Sequence, residues 1–238
     1  IAASFWGYKC DINYFPMGEG KQDAVARLVL SPASHRGDMA ALYSAIKQRR
    51  TNRSIYDARP LSISETDALM HNTNGSIILV DDREMISKLA HVSEEGTFRT
   101  LSRKDFREEL SHWVRNSWTE QHDGMPGYAM GMPAPVSLVA PVMIRIVPIH
   151  IQEAPKTKKQ MESSSAVIMF VGVDTFLDWV KTGEALPQTW LNAAAVGLAA
   201  MPQVAAVEAG QEYRSRLQKI VGTEKLPLSL LRVGHAGS

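Results

Sequence analysis

The residues best suited to chemistry in this sequence are an arginine-rich run at positions 49–53, Arg-Arg-Thr-Asn-Arg. Guanidinium groups bind phosphate through charge-assisted hydrogen bonds, and a neighbouring hydroxyl adds a further donor. Upstream, apolar side chains recur at steps of three and four residues, which predicts a helix with one apolar face. If that helix continues, Arg49 and Arg53 lie on the same side of it. We therefore interpret residues 49–53, the arginine segment, as a candidate socket for a phosphate group or an anionic ring.

The arginine segment also has a simpler interpretation. Arginines at the end of an amphipathic helix complement the helix dipole and face water without binding a ligand. Residue types alone leave both interpretations open.

Composition limits the class of protein. Of the 238 residues, 45% are hydrophobic and 21% are charged, the balance of a globular chain with one large domain or one domain and part of another. The net charge of +1 gives no overall field for nucleic acid or a membrane surface, so neither partner is predicted. Cys10 is the single cysteine, and the seven histidines show no metal-binding spacing. We therefore predict no internal disulfide and no metal site.

The sequence shows neither a membrane span nor a signal peptide. The longest apolar run, residues 191–200, is too short to cross a bilayer. The chain begins with Ile1 instead of Met, in a stretch typical of the last turns of a helix. We therefore expect a fragment of a longer protein and a cytoplasmic location, and an export signal upstream of Ile1 stays open.

The pattern of apolar residues predicts a mixture of strands and helices. Strands are predicted at residues 10–15, 24–30, 77–80, 166–173 and 226–233. Helices are predicted at residues 64–70, 83–91, 104–118, 176–180, 190–198 and 211–220. Ser64 and Asp67 resemble a capping box at the start of the first of these helices, and Met201-Pro202 is predicted to end the helix at 190–198. No strand–helix–strand repeat is sustained, which predicts an α+β fold with a mostly antiparallel sheet flanked by helices.

Residues 123–155 differ from the rest of the chain. Glycines and prolines are dense there, and no helical or strand period holds for long. This composition predicts a long loop that serves as a lid or an arm.

The order of several motifs resembles the nitroreductase family of FMN-dependent oxidoreductases, in particular its double-domain, Acg-like branch. The arginine segment followed by Ile-Tyr-Asp is similar to the Arg-x-Ser/Thr-x-Arg/Lys signature of that family. Residues 109–115 with Asp123-Gly124, residues 179–202, and the strand at residues 230–234 match further motifs in the same order. The resemblance covers residues 38–236.

The resemblance implies a cofactor and a role for each candidate residue in binding it. FMN would take a hydride from NAD(P)H and reduce a nitro compound, a quinone or a related acceptor. Arg49, Arg50 and Thr51 would hold the FMN phosphate, and Arg53 would stabilise negative charge on the reduced ring. The loop of Pro202, Gln203 and Val204 would offer a backbone donor to the ring. Arg232 would contact phosphate or form an ion pair, and no catalytic side chain or metal is implied.

The resemblance also implies a domain organisation. Members of the Acg-like branch carry two units that form an internal pseudo-dimer, with flavin sites between them. Residues 1–37 would then be the remnant of an N-terminal unit, and residues 38–238 the FMN-binding domain. The expected partner is the missing unit, or a second copy in a homodimer. Two alternatives stay open, a flavin-binding or flavin-storing protein with little turnover and an interaction protein whose arginines bind acidic partners.

Overall fold

The computed structural model describes residues 1–21, 24–33, 39–71, 73 and 76–237. Its strands are β1 Tyr8–Tyr14, β2 Ala26–Pro32, β3 Ser76–Val80, β4 Val114–Arg115, β5 Met125–Pro126, β6 Ala166–Gly172, β7 Ala199–Pro202 and β8 Leu226–Gly234. Its α-helices are α1 Ala2–Phe5, α2 Ala40–Gln48, α3 Ile63–Met70, α4 Arg83–Ser102, α5 Lys104–Trp113, α6 Ala134–Ser137, α7 Ala140–Ile146, α8 His150–Glu162, α9 Phe176–Ala195, α10 Ala205–Glu208 and α11 Gln211–Val221. A 3₁₀ helix spans Gly127–Met130.

The main sheet has four antiparallel strands in the order β3-β6-β8-β7. In β6 the odd-numbered residues pack against α4, α8 and α11, and the even-numbered ones against α3 and α9. Successive side chains of a strand point to opposite faces, so a continuous apolar run suits a strand that is covered on both sides. The predicted α+β class, the antiparallel pairing and the central position of this strand are confirmed.

The prediction of a long loop at residues 123–155 is wrong, because α6, α7 and the start of α8 lie in that range. Pro135 and Pro141 occupy the first turns of α6 and α7, where the missing N–H costs no intrahelical hydrogen bond. Ala140 and Ile144 of α7 are buried in a small cluster with Val114. Pro135 and Pro141 therefore start helices instead of breaking them, and tertiary packing holds α7.

Three predicted helix boundaries also differ from the structure. α9 is one helix that continues through Pro187, because its buried residues pack against the sheet on both sides of that proline. Residues 199–202 form β7 where a helix end was predicted, since they pair with β8. The helix predicted at residues 104–118 ends at Trp113, where the chain enters β4.

A separate two-stranded hairpin, β1 with β2, precedes the main sheet. Its strands match the predicted positions, but most of its side chains are exposed on both faces. The predicted domain boundary between residues 37 and 38 lies outside the described residues. Within the described ranges, no helix has the length and apolar character needed to cross a bilayer.

Candidate functional site

The arginine segment is not helical. α2 ends at Gln48, and Arg49 takes an extended backbone conformation, with φ −53° and ψ 126°. Thr51 then forms a parallel bridge with Ala200 of β7, and the Asn52 N–H donates to the Ala200 carbonyl over 3.1 Å. The expectation that Arg49 and Arg53 share a helix face is therefore wrong. The segment instead runs along the free edge of the main sheet.

The carbonyl groups of three successive residues, Asn52, Arg53 and Ser54, accept hydrogen bonds from buried side chains. Arg232 Nη2 donates to the carbonyls of Asn52 at 2.9 Å and Ser54 at 2.8 Å. Gln160 Nε2 donates to the Arg53 carbonyl at 2.6 Å. The Tyr56 hydroxyl donates to the Asn52 carbonyl at 2.9 Å. Arg232 of β8, Gln160 of α8 and Tyr56 thus hold the backbone of the segment through its carbonyl groups. We call this buried side of the segment the side beneath it.

The three arginines of the segment have different surroundings. The Arg49 guanidinium lies over the Trp190 ring at 4.1 Å from its centroid, a cation–π contact. Arg50 is exposed, and its Nη1 donates to the Lys47 carbonyl at 3.1 Å. Arg53 Nη1 donates to the Ala129 carbonyl of the 3₁₀ helix at 2.7 Å. Arg50 is the most accessible of the three, and the other two are half-buried.

The loop of Pro202, Gln203 and Val204 begins at the last residue of β7, the strand that the arginine segment contacts. Proline has no N–H, and the Gln203 N–H donates to the Leu230 carbonyl at 2.9 Å. Among the described residues, no acceptor is found for the Val204 N–H. Gln203 is only 6% exposed, and its Nε2 has no partner in the described part of the chain. The loop therefore keeps one backbone donor and one buried side-chain donor free.

The surroundings of the Arg232 side chain differ from those predicted. Its side chain is fully buried, and Nη1 donates to the Gln160 carbonyl at 3.0 Å in addition to the contacts with the segment. The guanidinium also lies over the Tyr56 ring at 3.9 Å from its centroid. It has no ion pair in the described part of the chain, and its position beneath the segment is not that of a surface phosphate contact. The predicted ion pair of Arg232 is therefore wrong within the described residues, and its contact with a cofactor stays a prediction.

Burial shifts the pKa values of both Arg232 and Tyr56. Loss of hydration lowers the pKa of Arg232 to about 10, opposed by its interaction with Tyr56. Loss of hydration raises the pKa of Tyr56 to about 12, opposed by the charge of Arg232. At neutral pH Arg232 is therefore cationic and Tyr56 is a neutral hydroxyl donor.

The sequence interpretation missed Gln160 and the contact of Arg53 with Ala129. Gln160 lies in α8 and Ala129 in the 3₁₀ helix, and no local pattern connects either residue to the arginine segment. Tyr56 stood within the matched motif, but nothing in the sequence indicated its contact with Arg232. No three His, Cys, Asp or Glu side chains of the described residues lie together in a way that could hold a metal ion.

Comparison with known proteins establishes the fold. No family model and no curated protein matches the sequence. Among solved structures, the chain is similar to the FMN-dependent nitroreductase NfnB from Mycobacterium smegmatis in complex with NADPH, with a TM-score of 0.52 and 16% identity over 82% of this chain and 87% of that one. It is also similar to the FMN and NADPH-dependent nitroreductase NfnB from Sphigopyxis sp. strain HMH, with a TM-score of 0.51 and 15% identity over 82% of this chain and 88% of that one. The chain therefore has the nitroreductase fold.

Proposed function

We propose that the chain is an FMN-dependent oxidoreductase of the nitroreductase type that uses NAD(P)H to reduce nitro compounds, quinones or related acceptors. One observation carries the proposal. In a chain with the nitroreductase fold, the arginine segment lies along β7, which leads directly into the loop of residues 202–204. Cationic side chains and a free backbone N–H thus stand at one edge of the sheet.

The residues at this edge fit the parts of FMN. The exposed guanidinium of Arg50 and the hydroxyl of Thr51 suit a phosphate, and Arg49 adds positive charge from its place over Trp190. Arg53, whose Nη1 donates to the Ala129 carbonyl, is the residue that we propose for the ring. The free N–H of Val204 is the donor of the 202–204 loop for the ring, because the Gln203 N–H is already used and Pro202 has none.

Bound FMN supplies the redox chemistry, which is hydride acceptance from NAD(P)H and electron transfer to the acceptor. The chain supplies position and charge. Arg53 stabilises negative charge that develops on reduction, and the Val204 N–H orients the ring by donating a hydrogen bond. The buried contacts to the carbonyls of residues 52–54 keep the segment in one conformation, which reduces the entropy lost on binding.

The proposal is tested by adding FMN to the purified chain, removing free flavin, and recording the flavin absorbance bands. NADH and NADPH oxidation is then followed with a nitroaromatic or a quinone as acceptor. We expect retained flavin and acceptor-dependent oxidation, both weakened by Arg53→Ala. Arg99→Ala, an exposed arginine on α4, serves as the control. Retained flavin without turnover would indicate a flavin-storing protein, and no retained flavin would indicate an interaction protein.

We also propose that a second unit covers this chain, either the other half of a pseudo-dimer of the Acg-like type or a second copy. The β1–β2 hairpin supports this proposal, since Leu28, Val29 and Leu30 are each more than half exposed. An isolated two-stranded hairpin is marginal in water, and exposed apolar patches mark interaction surfaces.

A further inference from the structure

Arg232 stands out because it is a buried cation whose hydrogen-bond partners are mainly carbonyl oxygens. It is fully buried, and it donates to the carbonyls of Asn52, Ser54 and Gln160. None of the ion pairs formed by the described residues includes it. Buried charges in proteins are normally paired with an opposite charge, because removing a charge from water is costly. The face of the Tyr56 ring compensates the charge only in part.

Holding the segment in place does not require this charge. Gln160 holds the Arg53 carbonyl with a neutral amide, and Tyr56 holds the Asn52 carbonyl with a neutral hydroxyl. A neutral donor at position 232 would do the same work without the desolvation cost of a guanidinium. The positive charge beneath the segment therefore needs a further explanation.

The position of the charge provides that explanation. Arg232 touches residues 52 and 54 of the chain, and it pairs across β8 and β7 with Met201, one residue before the 202–204 loop. In a medium of low dielectric, its field acts over several ångströms on whatever binds at the outer side of the segment. Arg50 and Arg53 of the segment carry charge of the same sign.

We infer that Arg232 is a positioning residue that strengthens the binding of an anionic phosphate group at the arginine segment, by supplying uncompensated positive charge from beneath it. The inference rests on the proposed function in that the phosphate group is the one carried by FMN. Inorganic phosphate carries the same chemistry, so the two sources are tested separately.

The experiment compares the wild-type chain with Arg232→Lys, Arg232→Gln and Tyr56→Phe. Lysine keeps the charge with a different donor geometry, and glutamine keeps donors without the charge. Tyr56→Phe removes a donor to the same Asn52 carbonyl and leaves the charge, so it is the matched control. Inorganic phosphate, FMN and riboflavin are titrated against each protein, and thermal unfolding verifies that each is folded.

We expect Arg232→Gln to bind inorganic phosphate and FMN roughly tenfold more weakly than Arg232→Lys, with equal riboflavin affinity for the two variants. Tyr56→Phe loosens the segment but keeps the charge, so any loss of affinity in that variant should be equal for FMN and riboflavin. Equal phosphate affinity of the Lys and Gln variants would overturn the inference, and so would a wild-type chain that binds neither phosphate nor FMN.

Two outcomes separate the inference from the proposed function. If the wild-type chain binds phosphate with the expected ranking but no FMN, the proposed function fails and the inference stands. If FMN binds and supports turnover while the Lys and Gln variants bind phosphate equally well, the inference fails and the proposed function stands.

A second measurement covers the case in which Arg232→Gln does not fold. A buried lysine loses its proton at lower pH than an arginine, because burial depresses the pKa of an ammonium group. Sulfate, which does not titrate, should therefore bind Arg232→Lys more weakly as the pH rises from about 6 to 9, while wild-type binding stays constant. Parallel pH profiles for the two proteins would overturn the inference.

Discussion

Neighbouring arginines of the segment have different surroundings, because their guanidinium groups lie in separate places. Arg49 packs on Trp190, whereas Arg50 is exposed and bonded only to nearby carbonyls. A residue that packs on an aromatic ring contributes to folding stability as well as to charge. A residue with an exposed guanidinium contributes mainly through its charge.

We expect Arg50→Ala to weaken FMN binding roughly tenfold and riboflavin binding much less, since a charge-assisted hydrogen bond to phosphate contributes about 1.5–3 kcal/mol. Arg49→Ala should weaken FMN binding and also lower the free energy of unfolding by about 0.5–1 kcal/mol, from the lost contact with Trp190. Flavin titration and urea unfolding measure the two effects. Equal effects of both substitutions on stability would contradict the assignment.

A further residue-scale effect concerns Glu65 at the start of α3. Ser62 and Glu65 form the capping box, not Ser64 and Asp67 as predicted from the sequence, because Ser62 is the residue that precedes the helix. Glu65 Oε1 also lies 2.8 Å from His235 Nε2, just after β8. The Ser62 N–H, followed by His235, lowers the pKa of Glu65 from 4.5 to about 2.

A depressed pKa means that the folded state favours the carboxylate more than the unfolded state does. The stability that Glu65 contributes is therefore complete above about pH 4.5 and is lost as the pH falls toward 2. We expect the free energy of unfolding to fall between pH 5 and roughly pH 3, and to fall less in Glu65→Gln. Urea unfolding at the two pH values measures the difference. The same acid loss in both proteins would show that Glu65 is not responsible.

At the scale of elements, the close approach of α4 and α10 depends on a glycine. A Cβ added to Gly96 would lie 2.5 Å from Ala206 Cα and 2.9 Å from Ala206 N, and neither backbone atom can move without displacing α10. α10 follows the 202–204 loop directly, so this contact supports the proposed site.

We expect Gly96→Ala to lower the free energy of unfolding by about 1–3 kcal/mol, because overpacking forces backbone shifts. Gly183→Ala in α9 is the matched control, since a Cβ there meets no atom within 4 Å. Helix propensity should make that variant more stable by up to about 1 kcal/mol. Thermal and urea unfolding compare the two variants. A neutral Gly96→Ala would mean that the helices can separate at little cost.

At the scale of the molecule, the exposed hairpin is the feature on which the proposal of a partner rests. Leu28 and Leu30 are exposed by 61% and 57%, and they lie on the same face of β2 because they are two residues apart. The main sheet, by contrast, is covered by helices on both faces.

We expect the chain to self-associate with rising concentration, and the double variant Leu28→Lys, Leu30→Lys to associate less, because charged side chains resist burial in an apolar interface. Ile63→Lys is the control, since Ile63 is 83% exposed and belongs to α3 instead of the hairpin. Sedimentation velocity measures the association. A chain that stays monomeric at every concentration would leave only the missing unit of a pseudo-dimer as the proposed partner.

The sequence by itself determined the α+β class, the central strand and the position of the arginine segment. These features depend on local periodicity and on residue type, which a short stretch of sequence already contains. The central strand, β6, is apolar at nearly every position, which is enough to indicate a strand buried on both faces. The family resemblance added the candidate site residues, whose role as a group stays a proposal.

Only the tertiary structure decided how those residues meet. The contact of Arg232 with the Asn52 carbonyl joins residues that are 180 positions apart, and no local pattern predicts which of many carbonyls a buried guanidinium will bind. The same reason explains the errors at residues 123–155 and 199–202. Pro135 and Pro141 start helices, Pro187 lies inside one and Pro202 ends a strand. Packing against Val114 or pairing with β8 decides between these outcomes, and the proline alone does not.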